Sequence, residues 1–238
     1  GINCLPSPPA SRAVLSAADG VLSTLRRGGT LIEMSTIGRE EILAIAAMAA
    51  EGGVQTLEAP VTGGVHRAAR GDITVLAGGD KLQFERHRSA LEAMGGRIFY
   101  MGPLGNAALI KVITNMLAFI HLVAAGEALM LAKRGGLDLA QAFHAIKASS
   151  GNSFVHETES QLILSGSYNI GFTIDLALKD LGFAMSFGRQ FGVPLDLVSK
   201  TLQAFVHARE AYGGQAWSTM VVKLFEDELG TQLRAPGF

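Results

Sequence analysis

The sequence predicts an α/β unit followed by an all-helical unit. Three observations predict it. Short apolar runs alternate with helically spaced segments as far as about Gly105. Beyond that point the strand signal disappears. Between the two regimes lies "LIKVITNMLAFIHLVAAGEAL", residues 109–129, a nearly unbroken apolar run suited to a long connecting helix. The expected layout is residues 1–105 as the α/β unit and 106–238 as the helical unit, opened by a helix over 106–134.

In the first unit, "INCLPSP" reads as a short buried strand running into a Pro-rich loop. Ser11 to Leu25 follows with helical spacing. "GGTLIEMST" is a second strand, Arg39 to Glu51 a helix, and "VQTLEAPV" a third strand. "DITVLAGG" is a fourth strand stopped by Gly78-Gly79, Lys81 to Met94 a helix, and "RIFYMG" a fifth strand. Such alternation implies a mostly parallel sheet covered on both faces. In the second unit, helices are expected near 106–134, 138–149, 152–165, 174–191, 194–212 and 216–228, with Asp138 and Ser153 as caps.

Composition narrows the function. Of 238 residues, 48% are apolar and 17% charged, enough to build a sizeable core and too apolar for disorder. A net charge of −1, without a long basic block, advertises neither a nucleic-acid nor a membrane surface. The single cysteine, Cys4, excludes an internal disulfide and fits a reducing, cytoplasmic compartment. The apolar run is nearly long enough to span a bilayer, but Lys111, Asn115 and His121 interrupt it, so a buried core helix is expected. His121 points off the Lys111 stripe and is assigned to core or interface packing. No metal ligand set is expected.

Sheets of this kind bind ligands beyond the carboxyl ends of their strands. The loops to inspect are therefore "LPSPP", "STIGR" and "PVTGG". On a helix, Lys111 and Asn115 are one turn apart and share a stripe. Burial favours the neutral amine, which suits a general acid/base. The alternative is a lysine that snorkels to water from the start of the helix.

Several segments resemble the β-hydroxyacid dehydrogenases, the family of 3-hydroxyisobutyrate dehydrogenase. "EAPVTGGVHRAARGDITVLAGG" (58–79) is similar to the family's substrate-binding segment, "GPLGNAALIKVITN" (102–115) to its catalytic segment, and "LKDLGFA" (178–184) to its cofactor-side segment. "LP" at 5–6 and "STI" at 35–37 are similar to loops that line the nicotinamide cofactor. These segments occur in family order over essentially the whole chain. The chain departs from the pattern at Glu58, Thr62, Ala107, Thr114, Ser186 and Trp217. Its 238 residues contain no G-x-G-x-x-G, so the resemblance implies that the Gly-rich part of the Rossmann-like domain precedes Gly1.

The resemblance implies hydride transfer between NAD or NADP and a small β-hydroxy acid, or its semialdehyde, of the 3-hydroxyisobutyrate or tartronate semialdehyde type. Lys111 and Asn115 are then catalytic. Thr62, Gly63, Gly64 and Asp180 bind substrate, and Leu5, Pro6, Thr36 and Lys179 face the cofactor. It also implies a homo-oligomer, a dimer or tetramer. From the residues alone, "PVTGG" reads more commonly as a plain strand-ending turn, Thr36 also as a helix cap, and Lys179-Asp180 also as a solvated pair. His66 and Arg67 read as surface residues. Competing functions are a 6-phosphogluconate-dehydrogenase-like enzyme, an imine-reductase-like enzyme and a non-catalytic binding scaffold.

Overall fold

The computed structural model describes all of residues 1–238. The chain forms two compact units, Gly1–Thr114 and Asn115–Phe238.

The first unit is built on six strands: β1 (Ile2–Asn3), β2 (Thr30–Glu33), β3 (Gln55–Glu58), β4 (Val61–Thr62), β5 (Ile73–Gly79) and β6 (Gly95–Tyr100). The first three are parallel neighbours in chain order. The sheet is then mixed, a departure from the mostly parallel expectation. β5 runs antiparallel to β3 and β4, and parallel to β6. The connection after β3 explains this. It contains only β4 and the short helix α4 (Val65–Ala69), and a hairpin-like return gives an antiparallel neighbour, whereas a parallel one needs a full crossover. The helix α5 (Lys81–Met94) is such a crossover and delivers β6 parallel to β5.

Alternation along β2 sends neighbouring side chains to opposite cores. Leu31 packs with Leu15, Ile42, Ile45 and Val54, against α1 (Pro8–Ser16) and α3 (Arg39–Glu51). Ile32 packs with Leu57, Val75, Phe84 and Leu91, against α5. The sheet is thus covered on both faces. The single helix expected over Ser11–Leu25 is two, α1 and α2 (Val21–Thr24). Here α1 starts early because Ser7 caps it and Pro8 occupies its first turn. It ends where Gly20 folds back so closely that a Cβ would lie 2.7 Å from the Val14 carbonyl oxygen. The expected third strand is also two pieces, since Pro60 separates β3 from β4.

The second unit is helical. After α6 (Asn106–Arg134), a 29-residue helix that begins in the first unit, come α7 (Leu139–Lys147), α8 (Phe154–Ser165), α9 (Ile174–Phe191) and α10 (Asp196–Tyr212). Asp138 and Ser153 do cap α7 and α8, each accepting a first-turn N–H. In place of one helix over 216–228 there is a 3₁₀ turn (Ser218–Val221) followed by α11 (Lys223–Leu229). The turn is held to the start of α9 by the bridge between Thr173 and Trp217 and by the Ser218 N–H on the Phe172 carbonyl.

Of all the helices, α6 alone is long and apolar enough to cross a bilayer. Only 33% of its most apolar stretch is buried, less than expected of a buried core helix. Its inner face carries Leu122 and Leu129, whereas Leu117, His121 and Leu131 are exposed.

Candidate active site

In the first unit, the loops after β1 and β2 share one buried polar network. The Leu5 N–H donates to Ser35 Oγ at 2.8 Å, tying "LP" to "STI". The Ser35 N–H donates to Glu33 Oε1 at 2.9 Å, and Asn3 Nδ2 donates to Glu33 Oε2. Ser11 Oγ lies 3.1 Å from Ser35 Oγ and accepts from Asn3 at 3.2 Å. Glu33 is 1% exposed, and Asn3, Ser11 and Ser35 are buried too. Above this network Leu5 and Thr36 are half-buried and Pro6 is exposed. The arrangement suits a cofactor: a rigid polar floor holds a partly apolar surface at the carboxyl ends of parallel strands. Thr36 is not a helix cap, because α3 starts after Gly38 without a side-chain cap.

Thr62 ends β4 opposite Thr74. Gly63 and Gly64 follow at φ +121° and +81°, conformations that disfavour any other residue. A side chain at 63 would also lie 2.9 Å from Arg67 Cδ. His66 is exposed and Arg67 partly so. Farther along the chain, Lys111 is 7% exposed, which the snorkelling alternative does not provide. The first turn of its helix is capped by Glu58, whose Oε1 accepts from the N–H groups of Gly105 and Ala107 and whose Oε2 accepts from Ala108. Burial pushes the Glu58 carboxyl above its ordinary value, while these N–H groups and Arg39 pull it back.

In the second unit, Asn115, one turn after Lys111 along α6, donates from Nδ2 to Asp180 Oδ2 at 2.6 Å. The Lys179 ammonium lies 2.8 Å from Asp180 Oδ1, an ion pair outside the hydrogen-bonding angle, and 5.3 Å from the Phe183 ring centre. Asp180 is 1% exposed. These residues are therefore not a solvated pair, and Asp180 turns both oxygens towards neighbouring side chains. A polar cleft of about 720 Å³ elsewhere in this unit, lined by Lys133, Lys223, Asp227 and Arg234, contains none of the candidate residues.

Sequence reasoning missed Glu33, Ser35, Asn3 and the role of Glu58. One signal was present. Each acid ends an apolar strand, in "TLIE" and "TLE", where an unpaired carboxylate is costly and implies a partner.

A family profile described as "NAD-binding of NADP-dependent 3-hydroxyisobutyrate dehydrogenase" matches residues 105–225. A second, the NAD-binding domain of 6-phosphogluconate dehydrogenase, matches residues 2–102. The chain belongs to the β-hydroxyacid dehydrogenase family. Among its relatives in that family, 2-(hydroxymethyl)glutarate dehydrogenase of Eubacterium barkeri is 31% identical over 230 residues, covering 96% of this chain and 76% of the relative. L-threonate dehydrogenase of Escherichia coli K12 is 33% identical over 215 residues, covering 90% and 71%. The crystal structure of a Salmonella typhimurium 3-hydroxyisobutyrate dehydrogenase superposes with a TM-score of 0.87 at 30% identity, covering 94% of this chain and 78% of that one. This β-hydroxyacid dehydrogenase is an NAD(P)-dependent oxidoreductase of small hydroxy acids, as the resemblance implied.

Proposed function

We propose that Lys111 is the general acid/base of this dehydrogenase. When bound, the nicotinamide supplies the hydride acceptor or donor. The chain's own residues supply proton and position. In the oxidation direction the neutral Lys111 amine takes the hydroxyl proton as the carbinol carbon becomes a carbonyl, and in reduction its ammonium returns that proton. The Asn115 amide orients the same oxygen. Its own orientation comes from Asp180, which acts on the substrate through Asn115 and Lys179. Thr62 and the adjacent backbone N–H groups of Gly63 and Gly64 hold the substrate carboxylate. Leu5, Pro6 and Thr36 face the cofactor, and Lys179 contributes charge to it.

The observation that carries this reading is a lysine with 7% exposure, one helical turn before an amide that a buried aspartate holds at 2.6 Å. The substrate proposed is a short, branched or polyhydroxylated hydroxy acid, since the relatives are named for 3-hydroxyisobutyrate, L-threonate and 2-(hydroxymethyl)glutarate. The uncovered apolar stripe of α6 supports a homo-oligomer, and the single cysteine, Cys4, fits a cytoplasmic one. The test is a panel of such acids and their semialdehydes with NAD(H) and NADP(H), run on the native enzyme and on Lys111→Ala. Turnover that survives in the variant refutes the lysine's role. Absence of any NAD(P)H binding favours the scaffold alternative.

A further inference from the structure

Glu58 closes β3, and its carboxylate crosses to the start of α6, where Gly105 lies 47 residues later. It takes the N–H groups of Gly105, Ala107 (3.0 Å) and Ala108 (2.9 Å). The remaining first-turn donor, Asn106, goes to the Pro103 carbonyl at 3.2 Å, and the helical ladder opens with Leu109 on Gly105 at 3.1 Å. Every N–H that the start of α6 would leave without a partner is thereby satisfied. A local Ser or Asp at 105 would do the same for helix stability alone. Residue 105 is instead a glycine at φ +95°, where a Cβ would sit 2.8 Å from Arg39 Cγ. Space is also reserved on the far side. Gly78 is the register partner of Glu58 on β5, and a Cβ there would lie 2.4 Å from Glu58 Oε1.

The long-range cap does what a local one does not. Thr62, Gly63 and Gly64 begin four residues after Glu58, on the same strand path. Lys111 stands on the turn that follows Ala107 and Ala108, at the i+4 and i+3 positions. One carboxylate therefore fastens the strand that leads into the double-glycine loop to the turn beneath the amine.

We propose that Glu58 is a positioning residue for the reaction, which sets the Lys111 amine against the Thr62–Gly64 loop. This rests on the roles assigned above to Lys111 and that loop. Three variants test it in the native enzyme, with Lys111→Ala alongside. Glu58→Gln keeps the size but turns an amide –NH₂ towards the Ala108 N–H. Glu58→Asp keeps the charge and loses reach. Gly78→Ala leaves the carboxylate intact and crowds it.

Misplacement of a reacting group by about 1 Å costs up to about a hundredfold, so kcat should fall by about tenfold or more in both Glu58 variants. Under the same conditions the KM for NAD(P) should stay within about twofold, and the pH profile of kcat should shift. Gly78→Ala should reproduce a weaker form of the same split. The proposal is overturned if the Glu58 variants, verified as folded by circular dichroism at the assay temperature, keep the native kcat and pH profile. It is equally overturned if kcat falls only in proportion to the folded fraction. Should neither Glu58 variant fold, Gly78→Ala decides by the same two criteria. Activity retained in Lys111→Ala defeats the acid/base assignment itself, whereas loss there with native kcat in the Glu58 variants defeats only the positioning role.

Discussion

Glu33 and Glu58 are register partners on adjacent parallel strands, each 1% exposed, and each carboxylate accepts from backbone N–H groups that lie past its own strand. The two acids divide the work of the sheet edge. Glu33 holds the loops of Leu5 and Thr36 through Ser35, and Glu58 holds the first turn of the helix that carries Lys111.

Removing the first of these supports should loosen cofactor binding before it touches chemistry. Glu33→Gln replaces a charged acceptor of the Ser35 N–H and the Asn3 amide, and hydrogen bonds to charged groups are each worth about 1.5–3 kcal/mol. NADH or NADPH titrated by fluorescence should show a dissociation constant raised by about tenfold, which corresponds to about 1.4 kcal/mol. The KM for the hydroxy acid should stay close to native.

Replacement of Lys111 should remove turnover while sparing the fold. Loss of a general acid/base costs about 10²–10⁴ in rate. Lys111→Arg should be nearly as inactive as Lys111→Ala, because a guanidinium does not give up its proton. Steady-state kinetics and thermal melts on both variants check this. A melt unchanged to within a few degrees alongside lost turnover is the expected result.

The 2.6 Å contact between Asn115 and Asp180 predicts coupling. Asp180→Asn leaves Lys179 without its carboxylate and offers Asn115 a weaker acceptor. A double-mutant cycle of Asp180→Asn with Asn115→Ala, read on kcat/KM, should give an interaction energy of about 0.5–3 kcal/mol. Simple additivity would separate the aspartate from the amide it holds.

Glu159, on α8, predicts a pH dependence of stability. Burial pushes its carboxyl up to about 7 from 4.5. The folded state therefore keeps a proton that the unfolded chain has released. The associated stabilisation is fully present below about pH 4.5 and is lost as pH rises through about 7. Each pKa unit is worth about 1.4 kcal/mol, so the swing is of the order of 2–3 kcal/mol, allowing for the partial exposure of the residue. Glu159→Gln should flatten the stability profile between pH 5 and 8 in urea denaturation and raise stability at the alkaline end.

Much of this architecture was legible because the local signals agree. The expected spans Arg39–Glu51, Lys81–Met94, 106–134 and 174–191 coincide with α3, α5, α6 and α9. Each combines helical spacing with a stop such as Gly52 or Gly192. The misread elements include those where backbone geometry overrides spacing, at the tight approach of Gly20, the interruption at Pro60, the short α4 and the 3₁₀ turn before α11. Within the candidate site, Lys111, Asn115 and the double glycine were singled out by their family-like segments. The carboxylates that support them were not, because their partners are remote in sequence: 47 residues from Glu58 to Gly105 and 65 from Asn115 to Asp180. No local pattern encodes such a pairing. An acid at the end of an apolar strand signals only that a partner exists.

The crowding at Gly78 carries an evolutionary corollary. A position remote from any reacting atom becomes as intolerant of change as one that grips a ligand, and its tolerance hinges on the residue it faces. Alanine at 78 should be harmful in the native background and milder when the acid at 58 is shortened to aspartate. That background-dependent effect is visible in the activities of four proteins: native, each single replacement, and the pair.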